Sequence, residues 1–122
     1  MKTILIVDDE KYIRELYTQE LIDEGYRVET AATGKEALEK VAQEPPDLIV
    51  MDIKMPGMDG IEAINQILGR NANIPIILNT AYPSYKDSFM AWSADEYVIK
   101  SSDLTELKTK IRQLLDKAKK SK

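Results

Sequence analysis

The 122-residue sequence has no cysteine and no histidine. Without cysteine there are no disulfides, no thiol nucleophile and no Cys-ligated zinc. Without histidine there is no imidazole acid or base and no His-ligated metal. Long apolar runs are also missing, and none approaches the length of a membrane span. The opening Met1-Lys-Thr-Ile-Leu-Ile-Val-Asp8 meets acids too soon for a signal peptide, so the expectation is a cytoplasmic protein with no membrane insertion. Basic charge is not in excess: 17 Lys+Arg stand against 21 Asp+Glu, a net charge of −4, which argues against direct nucleic-acid binding. Linkers and low-complexity stretches are absent too, and the length suits one domain spanning 1–122.

What is present is a regular alternation. Thr3-Ile-Leu-Ile-Val7, Leu48-Ile-Val-Met-Asp52 and Pro75-Ile-Ile-Leu-Asn-Thr80 are short, nearly continuous apolar runs, as expected of strands buried on both faces. Tyr26–Ala31 alternates and suits a sheet edge. Glu96-Tyr-Val-Ile-Lys100 is a fifth strand. Between them lie helical patterns. Ile13, Leu16, Tyr17 and Leu21 line one face of a helix over Lys11–Glu24, which Gly25 stops. Thr33 and Glu36 fit a capping box ahead of Ala37, Leu38 and Val41, and Pro45-Pro46 ends that helix. Ile61, Ile64, Ile67 and Leu68 mark a third helix ending near Gly69. A short fourth helix is expected between Ser84 and Trp92. A fifth, capped by Asp103, carries Leu104, Leu107, Ile111, Leu114 and Leu115 and gives way to a frayed basic tail over Lys117–Lys122. Strand–helix alternation predicts an α/β fold of the flavodoxin-like (βα)5 type. This is a doubly wound parallel five-stranded sheet of order 2-1-3-4-5, with its switch point between strands one and three.

Parallel strands end on one side, and their last residues are chemically selective. Asp8 and Asp9 follow strand one, Asp52 strand three, Thr80 strand four and Lys100 strand five. Taken singly, each has a plainer explanation: a helix cap, a turn residue, a strand-end hydroxyl, a solvated charge. Together they place three carboxylates, a hydroxyl and an ammonium in one crevice. Crowded carboxylates repel, and a hard divalent cation with oxygen ligands, Mg2+ or Mn2+, relieves that repulsion. A carboxylate is a competent nucleophile toward phosphorus, and phosphoryl transfer needs chiefly positioning and charge neutralisation. Asp52 on the central strand is the expected nucleophile, with Lys100 and Thr80 for the phosphoryl oxygens.

These features resemble the response-regulator receiver domain of two-component signalling. The resemblance rests on Ile6-Val-Asp-Asp-Glu10, Asp52-x-x-Met-Pro-Gly-Met-Asp-Gly60, Thr80-Ala81, Ala94-Asp-Glu-Tyr97 and Lys100, and covers Lys2 to about Lys117. It implies that Asp52 accepts a phosphoryl group from the phosphohistidine of a histidine kinase or histidine phosphotransfer protein. It implies that Asp9, Asp52 and the backbone carbonyl of Lys54 ligate the metal, with Asp8 acting through metal-bound water. Lys100 and Thr80 would hold phosphoryl oxygens, Ala81 would leave room for the donor imidazole, and Tyr97 would be the switch aromatic. The Lys54 and Tyr82 side chains would set the acyl-phosphate lifetime. The chain would then be a stand-alone phosphorelay switch for an unknown downstream protein, catalysing only its own phosphorylation and dephosphorylation.

Two departures from the family pattern stand out. Ser101 replaces the usual proline after the lysine, where a cis bond would cost about 3–4 kcal/mol, so the turn is either trans or strained. The interval from Thr80 to Lys100 is shorter than usual, with the shortfall between Pro83 and Ala91. That alters the fourth helix, which with the fifth strand and fifth helix forms the family's output face. Alternatives are a receiver cut from a larger regulator, a degenerate receiver that only docks, a haloacid-dehalogenase-type phosphatase and a flavodoxin-type carrier. The phosphatase requires an acid where Lys54 stands. The carrier requires a phosphate loop where Asp8-Asp9-Glu10 would repel phosphate.

Overall fold

The computed structural model describes residues 1–53, 60–70, 73–81 and 94–120. Five strands, β1 (Thr3–Val7), β2 (Arg27–Ala31), β3 (Leu48–Met51), β4 (Ile76–Thr80) and β5 (Glu96–Ile99), pair in parallel in the order β2-β1-β3-β4-β5. The described helices are α1 (Lys11–Asp23), α2 (Gly34–Gln43), α3 (Gly60–Arg70) and α4 (Thr105–Lys120). The helix expected between Ser84 and Trp92 lies outside the described residues. The basic segment from Lys117, expected as a frayed tail, continues α4 to Lys120, because its Lys and Ala residues are good helix formers following an anchored apolar face.

The sheet divides the core into two apolar layers. Leu5, Val7, Ile49, Met51, Ile76 and Leu78 face α2 and α3, which contribute Ala37, Val41, Ala63, Ile64 and Ile67. Ile4, Ile6, Leu48, Val50, Ile77 and Val98 face α1 and α4, which contribute Tyr17, Leu21, Leu104, Leu107 and Ile111. Adjacent residues of one strand thus serve opposite layers, as the pleat requires. This is why β1, β3 and β4 read as nearly continuous apolar runs, whereas β2 at the edge alternates exposed Arg27 and Glu29 with more buried neighbours.

Helix ends follow the local chemistry. Gly25 adopts φ +94°, with its N–H donating to Ile22 O (2.9 Å) and the Tyr26 N–H to Leu21 O (3.2 Å). That is a Schellman closure, which needs the left-handed conformation glycine tolerates. A Cβ at this position would meet no neighbour. Gly25→Ala is therefore expected to cost about 1–2 kcal/mol through backbone strain alone, read as a lower urea midpoint with unchanged slope. Thr33 Oγ1 accepts from the Glu36 N–H at 3.0 Å, as a capping box requires. The Glu36 carboxylate, however, reaches back to the Ala32 N–H (2.7 Å) rather than to that of Thr33. Asp103 Oδ1 accepts from the Thr105 N–H (2.9 Å) and Oγ1 (2.6 Å), anchoring the start of α4. These bonds favour the anion and hold the Asp103 carboxyl below its usual range.

The register brings the strand ends level. Val7 pairs with Ala31 and Met51, and Thr80 with Ile99. The ladder then runs one residue further: Asp8 N–H donates to Ala31 O (3.1 Å), Asp52 N–H to Val7 O (2.9 Å) and Lys100 N–H to Thr80 O (2.8 Å). The backbones of three polar residues are thereby fixed by the sheet itself. At the opposite end two acids serve the backbone instead: Asp47 Oδ2 accepts from Thr3 N–H and Asp95 Oδ2 from Ile76 N–H.

Candidate phosphoacceptor and metal site

Lys100 lies at the centre of the crevice. Its Nζ is 2.8 Å from Asp8 Oδ2, 3.3 Å from Asp52 Oδ2 and 3.6 Å from Glu10 Oε1. Asp8 is 2% exposed and Asp52 5%, so neither carboxylate can rely on bulk water for its charge. Burial first, and the Asp8 carboxylate second, push the Asp52 pKa up to about 6, against the opposing pull of Lys100. Burial alone would lower the Lys100 ammonium. Its hydrogen bond and charge contact with Asp8, followed by those with Asp52, outweigh burial and raise it, so it remains a cation.

Asp8 does not cap α1. The N-cap residue is Glu10, whose side chain makes no capping bond. The Asp8 carboxylate accepts from the Glu10 N–H at Oδ1 (2.9 Å) and from Lys100 at Oδ2. Arg14 Nη1 donates to the Asp8 carbonyl at 2.7 Å, tying the first turn of α1 to the strand end. Asp8, exposed Asp9 and exposed Glu10 can each offer a carboxylate oxygen, and these oxygens lie within 4.8 Å of one another. A donor set of hard oxygens at this spacing fits a divalent cation of the Mg2+ type, whose ligands stand about 2.1 Å from the ion.

Thr80 is fully buried at the end of β4, and Ala81 beyond it is exposed. Tyr97 is half-buried and packs against the α2–α3 layer, as does Ala94. Asp8, Asp52 and Lys100 are thus in direct contact, with Asp9 next along the chain and Thr80 on the strand between those of Asp52 and Lys100. Lys54 and Tyr82, expected to tune the site, lie outside the described residues. The turn after Lys100 contains no cis peptide bond. Ser101 supplies a side-chain bond in place of the proline, its Oγ accepting from the Asp103 N–H at 3.1 Å.

Three participants escaped the sequence reading. Glu10 extends the acid pair to a triad, and its signal was its place in Asp8-Asp9-Glu10. Arg14 had no signal beyond lying one turn into α1. The third is a pair: Asn79 Nδ2 donates to Tyr17 Oη at 2.7 Å inside the α1–α4 layer. Asn79 was visible as a polar residue in an apolar run, but its partner lies 62 positions away.

The response regulator receiver domain model matches residues 4–112. Response regulator MprA of Mycobacterium tuberculosis is 38% identical over 118 residues, covering 95% of this chain and 51% of its own length. The chain thus spans about half the length of the curated relatives it matches. Among solved structures, response regulator TrrA of Thermotoga maritima in complex with Mg2+–BeF superposes with a TM-score of 0.91 at 47% identity, covering 93% of this chain and 99% of that one. TrrA in complex with histidine kinase ThkA gives 0.89 at 48% identity, covering 94% and 99%. No described helix is long and apolar enough to cross a membrane. With the sheet order, the matched segment and the crevice in agreement, the chain belongs to the response regulator receiver domain family.

Proposed function

We propose that this domain is a phosphoacceptor switch in which Asp52 takes a phosphoryl group from a partner's phosphohistidine. The observation that carries the reading is the pairing of a buried, low-acidity carboxylate, Asp52, with the Lys100 ammonium at 3.3 Å, beside the Asp8-Asp9-Glu10 acid cluster. The donor imidazole must come from outside these 122 residues, which contain no histidine. An Asp52 carboxylate oxygen attacks phosphorus and the P–N bond breaks. The imidazole leaves with the electron pair and takes up a proton, and an acyl phosphate remains.

Asp8, Asp9, Asp52 and the Lys54 carbonyl would hold Mg2+, or Mn2+ in its place, with Glu10 close by. The cation neutralises phosphoryl charge when bound. Lys100 offers its ammonium to one phosphoryl oxygen, and the Thr80 hydroxyl can serve another. Lys100 therefore has two duties: counter-ion to Asp8 and Asp52 before transfer, and ligand of the phosphoryl group after it. Mg2+–BeF bound to TrrA, and TrrA bound to a histidine kinase, are consistent with this cation and this donor. The domain would act in the cytoplasm as a switch, reaching its downstream protein through β5, α4 and the segment before β5. A receiver belonging to a longer regulator fits equally well, since the relatives are about twice as long.

The test uses a histidine-kinase core labelled on its phosphohistidine and mixed with the chain and Mg2+. Label should pass to the wild type and not to Asp52→Ala. Label reaching both proteins equally would refute Asp52 as the acceptor.

A further inference from the structure

The apolar layer between the sheet and helices α1 and α4 holds a buried polar pair. Tyr17 is 2% exposed and Asn79 3% exposed, and they meet there through the 2.7 Å bond from Asn79 Nδ2 to Tyr17 Oη. Their surroundings include Ile4, Ile6, Leu21, Val50, Ile77 and Val98. Burial does not require this pair: an apolar residue at each position would fill the same layer, and replacing both partners of a buried hydrogen bond by apolar groups can be nearly neutral. What a hydrogen bond adds over hydrocarbon contact is direction.

The direction matters because of what each partner is joined to. Tyr17 belongs to α1, whose first turn follows Asp8, Asp9 and Glu10 and is tied to Asp8 by Arg14. Asn79 immediately precedes Thr80 on β4, the strand between β3, which leads into Asp52, and β5, which leads into Lys100. The phenol lies near enough to the crevice to feel the charges of Lys100, Asp8 and Asp52, while burial keeps it neutral and able to hold the amide.

We propose that Tyr17 and Asn79 are a positioning pair: their buried hydrogen bond fixes α1, and with it the acids of the crevice, in register with the end of β4 that carries Thr80. The proposal rests on the phosphoacceptor reading above. Misplacement of a reacting group by about 1 Å can cost 10²-fold, so a slip of α1 along β4 would be felt in the transfer rate even where folding is intact.

The experiment compares wild type, Tyr17→Phe, and Tyr17→Phe with Asn79→Leu. Each is measured for urea midpoint, initial rate of mass gain with acetyl phosphate across a Mg2+ titration, and beryllofluoride binding by fluorine NMR. The single variant leaves the Asn79 amide without its acceptor, so its midpoint should fall. The double variant should return to the wild-type midpoint. Both should take up phosphoryl roughly tenfold more slowly at saturating Mg2+ and bind beryllofluoride more weakly. The half-saturating Mg2+ concentration should rise as well, because Asp9 leads into α1 and the Asp8 carboxylate is held by the Glu10 N–H. A double variant that recovers wild-type rate and beryllofluoride affinity along with its midpoint would make the pair purely structural and overturn the proposal, as would a single variant with an unchanged rate. Failure of the wild type to gain a phosphoryl group would instead strike the phosphoacceptor reading beneath it, and the pair's role would fall with it.

Discussion

In Mg2+-free buffer at pH 7.5, Asp52→Asn is expected to be more stable than the wild type by about 2–3 kcal/mol. The cause is the carboxylate's position. Asp52 is 5% exposed and stands beside Asp8, which raises its folded-state pKa above the usual carboxylate range to about 6. A carboxyl group whose pKa is higher in the folded state binds its proton more tightly there than in the unfolded chain. Its contribution to stability is therefore fully favourable below about pH 4 and is lost as pH rises through about 6. Asparagine has no such titration. The two proteins should thus unfold at similar urea concentrations near pH 3.5, diverge between about pH 4 and 6, and stay apart above that. Lys100 retains Asp8 at 2.8 Å in the variant, so the ammonium is not left unpaired. Saturating Mg2+ should narrow the gap by binding the folded wild type more tightly. A gap independent of pH would show that Asp52 carries no electrostatic cost and would remove the ground for its reactivity.

Lys100→Met should have the largest effect of any single change outside Asp52. The methionine fills much of the same volume without the charge, so Asp8 and Asp52 lose the cation they share. Removing one partner from a buried ion pair costs about 3–5 kcal/mol, part of which is recovered as Asp52 takes up a proton. The metal-free variant should therefore be clearly destabilised, and Mg2+ should restore more stability to it than to the wild type. Phosphoryl uptake should still fall by about 10²–10³-fold at saturating Mg2+, the usual cost of deleting one preorganised donor to transferring charge. Near wild-type uptake at saturating Mg2+ would confine Lys100 to its counter-ion duty in the unphosphorylated protein.

Much of this architecture is legible because a parallel sheet covered on both faces leaves little freedom. Ile4–Val7 and Leu48–Met51 have no polar residue, which only a doubly covered strand allows, and the alternation over Arg27–Ala31 can only be an edge. Once the order is set, the strand ends converge, and Asp8, Asp52 and Lys100 meet as expected from their positions alone. What the sequence hid depends on side-chain reach. Nothing in Glu36 distinguishes a bond to Ala32 from one to Thr33. The turn at Ser101 is trans, and its Oγ accepts from the Asp103 N–H, a bond that another nearby N–H could have donated in its place. Tyr17 looked like one more member of an apolar helix face, because a phenol reads as hydrophobic until its hydroxyl finds Asn79 across the layer. Lys100 was expected as a ligand for phosphate. That it first serves as the counter-ion of the acids follows only from the distances.

The central claim is that Asp52 accepts a phosphoryl group with the help of a divalent cation. The most direct measurement is intact mass after incubation with acetyl phosphate, with and without Mg2+, for wild type and Asp52→Ala side by side. The account predicts a gain of one phosphoryl group by the wild type only when Mg2+ is present, and none by Asp52→Ala. An equal gain by both proteins, or a wild type that binds Mg2+ yet takes nothing from acetyl phosphate or from a phosphohistidine donor, would contradict it.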